Sequence, residues 1–562
     1  MTFIFSQESP VKDEPPRTPS QDLPEKNHNT VFEQKANDVN VSIEAHSLPA
    51  RSHLASFTSS FKNSFAKHEV LQLATTFVKF AKFMGPGAII SVAYIDPDNY
   101  QTAISSGALH YKLLFMILVS NVIAIYLQVC LTTRKISTAG FTNLRKAMSI
   151  KLGSVTGLNL AQMNRVYLPR WLNISSWIIA EASIVCTDIS SVIGTAIAIN
   201  ILIPKIPLVA GCGLAIADTL FTLLFYRPDG SLRGIRLFEV FITGFVLSTF
   251  ICFCIELFII RNATVGEVFK GYLPSRDIFV SDGFFLSCAI LGGTLMPHTL
   301  YLGSSLVQVR LRDFDIKNSS YSEATTPNFP TTKLYRPSLS AIRSCMNYSI
   351  AELCITLFLV AIFINSAILI IAVTSLSAAS DDADLYSMYD LFVHTISQAA
   401  GTMFALALLF SGVTAGIVAT MASQLVAEGA IDWRLRPFYR RLLTRSIAIT
   451  PGIIIAAACG RSGMAAALNG CNVVLSISLI FLIFPLIWYT SFDKYMMVET
   501  EAGESIVTVE TLNSTDAERV EQRRQAVNLA NSWPTLIVGW ILWFLIAAMN
   551  VATLTSWVRD WR

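Results

Sequence analysis

Charged residues are scarce in this chain of 562 residues: only 14% are Asp, Glu, Lys or Arg, against about 25% in a typical soluble domain. Soluble domains of this total length would need much more polar surface, so they are excluded. The charge is also nearly balanced, with 42 Lys and Arg against 39 Asp and Glu, which argues against nucleic acid as a partner. Apolar residues make up 53% of the chain and indicate many spans embedded in a lipid bilayer.

Motifs of disulfide, cofactor and enzyme chemistry are missing as well. The ten cysteines form no Cys-x-x-Cys pair and mostly lie in apolar runs, so we interpret them as small buried hydrophobic residues. No nucleophile–base pair or cofactor-binding loop is recognisable, so the sequence predicts neither an enzyme nor a cofactor. Residues 1–70 are polar and lack the apolar core of a signal peptide, and we predict that they form a disordered cytosolic tail.

Apolar segments long enough to cross about 30 Å of hydrocarbon recur along the rest of the chain. The predicted inner loops are rich in Lys and Arg, with seven in 132–170 and four in 429–444, whereas the predicted outer loop 376–400 has none. Positive charge favours the cytosolic side, so we expect the N-terminus inside and the C-terminus outside. The eleven predicted spans are 77–107, 112–131, 171–201, 206–226, 237–260, 283–306, 345–375, 401–428, 445–460, 467–491 and 535–557.

The first and sixth predicted spans each carry a central proline, Pro97 and Pro297. Proline removes a backbone donor and opens the helix before it, and the freed groups are tolerated at membrane depth only beside protein or water. The two spans hold equivalent places in two five-span halves, about 77–260 and 283–491, which an extra span at 535–557 follows. Matched breaks are typical of the binding site in an inverted-repeat transporter. The alternative is that each proline only kinks a packed helix.

Four potential metal ligands surround these two breaks. Asp96 and Asn99 bracket the first proline. Met296 precedes the second proline, and the Gly293 carbonyl lies one turn further back. One carboxylate with neutral oxygens suits a divalent cation, and the thioether disfavours magnesium and calcium in favour of manganese, iron or cobalt. The alternative for Met296 is packing, the usual role of a methionine in a membrane helix.

Three further residues are candidates for moving protons. His298 is the only histidine in the middle of a predicted span, and an imidazole titrates near neutral pH. A hydrogen-bonded structural histidine is the alternative. Asp188 lies in an apolar stretch of the third span and needs a partner or water, and we predict Arg445, at the start of the ninth span, as that partner.

Long ordered motifs connect these residues to a known family. From about residue 81 to the C-terminus, the chain resembles the natural resistance-associated macrophage protein (Nramp) family, in particular its fungal manganese transporters. The resemblance implies a LeuT-like fold of ten core helices plus one, proton-coupled uptake of divalent transition metal, and metal binding by the four groups at the breaks. The motifs include Ser91-Val-Ala-Tyr-Ile-Asp-Pro-x-Asn-Tyr100, Tyr167-Leu-Pro-Arg-Trp-Leu-Asn173 and Met296-Pro-His-x-Leu-Tyr-Leu-Gly-Ser304.

Several positions depart from the family pattern. Asp98 stands where the first motif normally has glycine, and it adds a second carboxylate near the ion and the proton pathway. Ser191 replaces an acid of the third span and cannot titrate near neutrality. Asn472 replaces a metal-site glutamine but keeps an amide oxygen, so we expect it to bind the ion, while Val413 replaces a second glutamine. Gly293 replaces an alanine whose carbonyl ligand survives the change.

The sequence therefore predicts an all-α membrane transporter domain over 77–557. The leading hypothesis is a proton-coupled secondary transporter that carries divalent transition-metal ions, manganese first and also iron or cobalt, toward the cytosol. It would act in the plasma membrane or in an endomembrane such as the Golgi, endosome or vacuole. The alternative is a metal-binding sensor or a coupling-impaired transporter paralogue. An amino-acid symporter of the same fold is disfavoured, because its site would present helix amides and small residues rather than Met plus Asp.

Overall fold

The structure, a computed structural model, describes residues 96–128, 148–215, 250–251, 253–259, 264–318, 337–376, 384–433, 437–499 and 526–560. The chain divides into two units, Met1–Thr75 and Thr76–Arg562, and every described residue belongs to the second. The predicted tail 1–70, most of the first predicted span, and parts of the fourth and fifth lie outside the described residues.

Helices account for nearly all of the described residues, as expected for a chain whose backbone groups must be satisfied within the bilayer. The α-helices are α1 (Pro97–Ser106), α2 (Leu114–Gln128), α3 (Ser149–Thr156), α4 (Leu160–Tyr167), α5 (Arg170–Leu202), α6 (Leu208–Leu214), α7 (Val265–Gly271), α8 (Ser281–Leu295), α9 (Pro297–Lys317), α10 (Leu339–Ile355), α11 (Ile362–Ile371), α12 (Leu385–Thr395), α13 (Gln398–Ile431), α14 (Pro437–Ala458), α15 (Gly460–Ser491) and α16 (Trp533–Asp560). Residues 253–259 are also helical. Shorter elements are 3₁₀ turns at Gly107–Leu113, Arg276–Phe279 and Asp493–Tyr495, π-helical segments at Thr356–Ala361 and Ala372–Leu376, and the antiparallel strands β1 (Met497–Glu499) and β2 (Ala526–Asn528).

Six helical stretches in the described part of the chain are long and apolar enough to cross a membrane. They coincide with the second, third, sixth, eighth, tenth and eleventh predicted spans. Two shorter apolar helices, Ile362–Thr374 and Leu442–Ala458, fall on the seventh and ninth. The prediction of several apolar helices of membrane-spanning length is confirmed in the described part of the chain, while the full count of eleven and the five-plus-five repeat stay predictions. The six stretches are Tyr111–Gln128, Arg170–Leu202, Asp282–Lys317, Gln398–Ile431, Gly460–Ser491 and Trp533–Arg559.

The break predicted in the sixth span is present, and in the first span a helix begins at the proline. Asp96 is extended (φ −91°, ψ 154°), and α1 begins directly after it at Pro97. In the sixth span, α8 ends at Leu295 and α9 begins at Pro297, with Met296 (φ −4°, ψ 113°) between them. Because proline has no N–H and its ring fixes φ, it fits the first position of a helix and interrupts one that would continue through it.

The core places α5 in the centre, packed against α13 and α15, and it places α8 against α15. The contact between α8 and α15 is especially close at Gly292, where an added Cβ would lie 1.8 Å from the backbone oxygen of Asn472. Glycine lets two helix backbones approach in this way, since any side chain would push them apart. This contact brings the broken sixth span directly against the tenth.

Candidate metal site

The start of α1 and the end of α8 are joined by a side-chain to backbone hydrogen bond. The Asn99 amide Nδ2 donates to the Gly293 carbonyl oxygen at 3.2 Å, joining α1 to α8. Asp96 occupies the N-cap position of α1, three residues before Asn99, without a side-chain cap hydrogen bond, and the side chains of both residues are buried. The predicted neighbourhood of the first and sixth spans is therefore present.

Gly293 is the point at which two amide side chains converge. A Cβ atom at this residue would lie 2.2 Å from Asn99 Oδ1 and 2.8 Å from Asn472 Nδ2. The absence of a side chain at Gly293 thus lets Asn99 and Asn472 both reach the end of α8. Three of the predicted metal-binding residues, contributed by α1, α8 and α15, are brought together here.

Several buried polar atoms at this junction have no hydrogen-bond partner among the residues that the structure describes. They are both carboxylate oxygens of Asp96, both of Asp98, and the amide oxygen of Asn472. An unpaired buried polar atom is costly in free energy, so most such atoms in proteins are satisfied by a partner. Asp96 and Asp98 lie at the start of α1 and Asn472 lies beside Gly293, so these acceptors are the candidate cation ligands of the junction.

Met296 completes the predicted ligand set at the gap between α8 and α9. Its side chain is fully buried and belongs to the larger hydrophobic cluster of the core. Its carbonyl oxygen is already engaged, because it accepts from the Thr299 N–H at 3.0 Å and from Thr299 Oγ1 at 2.8 Å. Gln128 Nε2 of α2 in turn donates to Thr299 Oγ1 at 2.9 Å. The side chain is placed for either thioether ligation or packing, whereas the carbonyl oxygen is already hydrogen-bonded to Thr299.

His298 lies in the first turn of α9, directly after the break. Its side chain is 1% exposed, and neither ring nitrogen has a hydrogen-bond partner within the described ranges. The alternative of a structural histidine held by hydrogen bonds therefore has no support in the part of the chain described. A proton-handling role stays a prediction.

The predicted partnership between Asp188 and Arg445 is present in the core. Arg445 Nη1 of α14 lies 3.4 Å from Asp188 Oδ1 of α5, and the two side chains are 6% and 2% exposed. The same Nη1 donates to Ser191 Oγ at 3.1 Å, and Ser191 Oγ donates to the Gly412 carbonyl at 2.7 Å. The family pattern has an acid at this position, so Ser191 places a neutral hydroxyl beside the Arg445 guanidinium.

A chain of polar side chains between α1 and α15 was not predicted from the sequence. Asn472 Nδ2 donates to Thr102 Oγ1 at 3.0 Å, and Thr102 Oγ1 donates to Asn469 Oδ1 at 2.9 Å. Asn469 Nδ2 then donates to Ser105 Oγ at 2.9 Å. The available signal was spacing: Thr102 and Ser105 are three apart on α1, as Asn469 and Asn472 are on α15, so each pair shares one helix face.

Four aromatic rings pack together beginning at Tyr100, the residue directly after Asn99. Tyr100 of α1 contacts Phe253, and Phe392 of α12 lies between Phe253 and Phe404 of α13, with ring centroids 5.3–6.1 Å apart. All four side chains are at most 1% exposed. Since the predicted orientation runs α1 outward from Asp96, this aromatic cluster lies on the predicted outer side of the metal site.

The helix α12, inside the predicted outer loop 376–400, is fastened to two spans. The Asp384 carboxylate caps α12 and forms an ion pair with both Nε and Nη2 of Arg461 at the start of α15. Tyr386 of α12 donates its hydroxyl to Asn200 Oδ1 of α5 at 2.9 Å. Burial raises the pKa of Tyr386, so this hydroxyl stays protonated and available as the donor.

Apolar helices of membrane-spanning length and buried polar groups where α1, α8 and α15 meet are features of an integral membrane transport protein. A family model described as natural resistance-associated macrophage protein-like matches residues 136–507. The chain belongs to this Nramp family, whose members are metal transporters and not enzymes. The resemblance drawn from the motifs is confirmed.

The relatives include fungal transporters of manganese and of iron. Manganese transporter SMF1 of Saccharomyces cerevisiae is 41% identical, covering 88% of this chain and 89% of the relative. Manganese transporter pdt1 of Schizosaccharomyces pombe is 42% identical over 84% of each chain. Iron transporter SMF3 of Saccharomyces cerevisiae is 43% identical, covering 85% of this chain and 97% of the relative.

Among solved structures, the Eremococcus coleocola manganese transporter in complex with an aromatic bis-isothiourea substituted compound is 26% identical to this chain. Its TM-score is 0.64, and the match covers 86% of this chain and 88% of that one. Similarity in both sequence and fold therefore extends across most of the membrane unit.

Proposed function

We propose that this protein transports divalent transition-metal ions, with manganese as the main substrate and iron or cobalt as further ones. The observation that carries the proposal is the junction at which Asn99 reaches the Gly293 carbonyl while Asp96 and the Asn472 oxygen lie buried without hydrogen-bond partners in the described part of the chain. Met296 would add a sulfur ligand. Together these groups would bind a cation of intermediate softness.

Manganese is favoured over magnesium and calcium by the donor set. The hard ions prefer oxygen ligands alone, whereas a thioether is compatible with manganese and iron. The relatives point to the same class of ion, because their names are those of manganese and iron transporters. The ion is the cargo here, so its binding has to be strong enough for capture and weak enough for release.

We further propose the membrane arrangement in which this site would work. Eleven spans would form two inverted five-span repeats and an extra C-terminal span, with the N-terminus in the cytosol. The ion would reach the site from the outer or lumenal side and leave to the cytosol after the repeats rock. The plasma membrane or an endomembrane would house the protein.

Protons would accompany the metal through groups beside the site. His298 and Asp98 flank the metal-binding residues along the chain, and the buried Asp188–Arg445 pair lies on α5 and α14. A carboxylate or imidazole next to a bound divalent cation loses its proton more readily, which would couple metal binding to proton release. The role of each group in this path is part of the proposal.

A coupling-impaired transporter is the second candidate, and one contact favours it. Ser191, which the family pattern replaces with an acid, gives its hydroxyl to the Gly412 carbonyl and accepts from Arg445. A hydroxyl cannot carry a proton at neutral pH as a carboxylate can. In this candidate the ion would still bind and cross, but fewer protons would move with it.

The direct test is manganese uptake by the purified protein in sealed lipid vesicles, with an inward proton gradient and a pH-sensitive dye inside. Wild type should take up manganese and acidify the interior, while Asp96→Ala should lose uptake by about 100-fold, because the one carboxylate in the proposed ligand set is gone. Asp277→Asn is the matched control, since Asp277 is a half-exposed acid paired with Lys112 on a surface turn.

Equal uptake by wild type and Asp96→Ala would contradict the metal site. Manganese uptake without acidification would select the coupling-impaired candidate. Metal binding without any flux would instead select a sensor.

A further inference from the structure

The polar chain between α1 and α15 has a fixed direction. An amide NH₂ group can only donate, an amide oxygen can only accept, and a hydroxyl does both. Asn469 uses its Nδ2 to donate to Ser105, so its Oδ1 faces Thr102. The Thr102 hydroxyl gives its only hydrogen to that oxygen, and its lone pairs are left to accept.

The acceptor capacity of Thr102 decides how Asn472 is oriented. Asn472 Nδ2 donates to Thr102 Oγ1, so the opposite end of the amide, Oδ1, points away from Thr102. Oδ1 is buried and has no hydrogen-bond partner within the described residues. A reversed amide would place two acceptors against each other, since the hydrogen of Thr102 is committed to Asn469.

We infer that Thr102 is a positioning residue for metal binding. Through the hydrogen bond it accepts from Asn472, and with its own hydroxyl oriented by Asn469, it holds the Asn472 oxygen ready for the cation. This inference rests on the proposed function. Groups that orient a metal ligand typically contribute about 10- to 100-fold to metal affinity, although they never touch the ion.

Asn472 needs such a partner because its amide could otherwise turn over. Its two ends are nearly equal in size, and only hydrogen bonding distinguishes them. Asn469 and Thr102 are 8% and 1% exposed, so water has little access to replace the bonds they make. The chain continues to Ser105, which also accepts from Gln101 Nε2 at 3.1 Å, and this anchors its far end on α1.

The test measures manganese binding by calorimetry on the purified full-length protein in detergent. Thr102→Val keeps the shape of the side chain and removes its hydroxyl, and we expect affinity to fall about tenfold. Thr102→Ser restores the hydroxyl and should return affinity to within about twofold of wild type. Thr490→Val is the matched control, because Thr490 is a fully buried threonine of α15 whose hydroxyl, among the described residues, bonds only within its own helix.

A double-mutant comparison separates positioning from simple structural support. If Thr102 acts through Asn472, Thr102→Val should cost no further affinity once Asn472→Ala is present. Full additivity of the two losses would overturn the inference, as would equal affinities for wild type and Thr102→Val. If Thr102→Val fails to fold, Asn469→Leu frees the Thr102 hydrogen and should give a smaller loss with the same non-additivity.

Asp96→Ala, measured in the same binding experiment, distinguishes a failure of the positioning role from a failure of the proposed function. Wild-type protein that neither binds nor carries manganese would overturn the proposed function and this inference together. Wild-type binding that Asp96→Ala abolishes and Thr102→Val leaves intact would overturn the positioning role alone.

Discussion

Two buried polar regions of the molecule differ in how their charges are satisfied. Around Asp188, the carboxylate faces the Arg445 guanidinium, which also donates to Ser191. Around Asp96, both carboxylate oxygens have no hydrogen-bond partner among the described residues. The first carboxylate is paired within the protein, whereas the second is the one that the proposed cation would neutralise.

Whether a buried polar group has a partner within the protein distinguishes a structural role from a ligand-binding role, even for two residues of the same type. Removing one half of an internally balanced pair leaves an uncompensated buried charge, so stability should suffer. Changing an unsatisfied acceptor in a ligand site should affect binding far more than folding. Stability and transport measured side by side can therefore assign each buried polar residue to one class.

The largest effect on stability is expected for Arg445→Met. The variant leaves Asp188 buried without its cation, and the free energy of unfolding should drop by about 3–5 kcal/mol. Thermal unfolding of the detergent-solubilised protein measures it. The double variant Arg445→Met/Asp188→Leu removes both charges and should recover most of the loss. A double variant as unstable as the single one would show that the pair is not the source.

Gly292→Ala should give the next largest loss in the free energy of unfolding. Its new Cβ would lie 1.8 Å from the Asn472 backbone oxygen, so α8 and α15 would have to separate. Overpacking of this kind costs about 1–3 kcal/mol, to be read from the same unfolding experiment. Gly470→Ala is the matched control on α15, where an added Cβ meets nothing within 4 Å. A stable Gly292→Ala protein would mean that the two helices are not held so closely.

Replacing Met296 should change ion selectivity. Without sulfur, calcium should compete with manganese uptake at concentrations about tenfold lower than in wild type, because the oxygen ligands that remain suit the harder ion. Met296→Ala also opens a cavity in the core, so Met296→Leu, which conserves volume, is the decisive variant. Unchanged selectivity in Met296→Leu would assign Met296 to packing.

Gly293→Ala should give the smallest effect of the four variants, and it should strengthen manganese binding instead of causing a loss. The added Cβ would meet the movable ends of Asn99 and Asn472 rather than backbone, so folding should change little. It would displace Asn99 from the Gly293 carbonyl, and metal binding would no longer have to break that hydrogen bond. We expect manganese affinity to rise about threefold. Weaker binding would show that Asn99 must sit close to this carbonyl.

The sequence was sufficient for the features that depend on local chemistry. Proline predicted the start of α1 and the break between α8 and α9, because its missing N–H acts wherever it occurs. The length of the apolar segments predicted α5, α13, α15 and α16. Because an isolated buried charge is costly in free energy, the sequence also predicted a partner for Asp188. These inferences need only a residue and its immediate neighbours along the chain.

Features that depend on contacts between distant segments were missed. The Thr102–Asn469 hydrogen bond joins residues 367 positions apart, and neither side chain is unusual in its own helix. The helix α12 lies in a stretch that was predicted only as an outer loop without Lys or Arg, and its ion pair from Asp384 reaches Arg461 on α15. The helices α3 and α4 and the strand pair β1–β2 fall within predicted connectors, whose mixed polarity gave no clear period.

The ring cluster of Tyr100, Phe253, Phe392 and Phe404, which would lie across the proposed outer path of the ion, has a consequence for electrical behaviour. A dry layer of tightly packed rings repels a hydrated ion, much as hydrophobic constrictions close channels. Several side chains on four separate segments would have to part at once to admit even a single ion. Leak current through the resting molecule should therefore be negligible, and charge should cross in discrete turnovers.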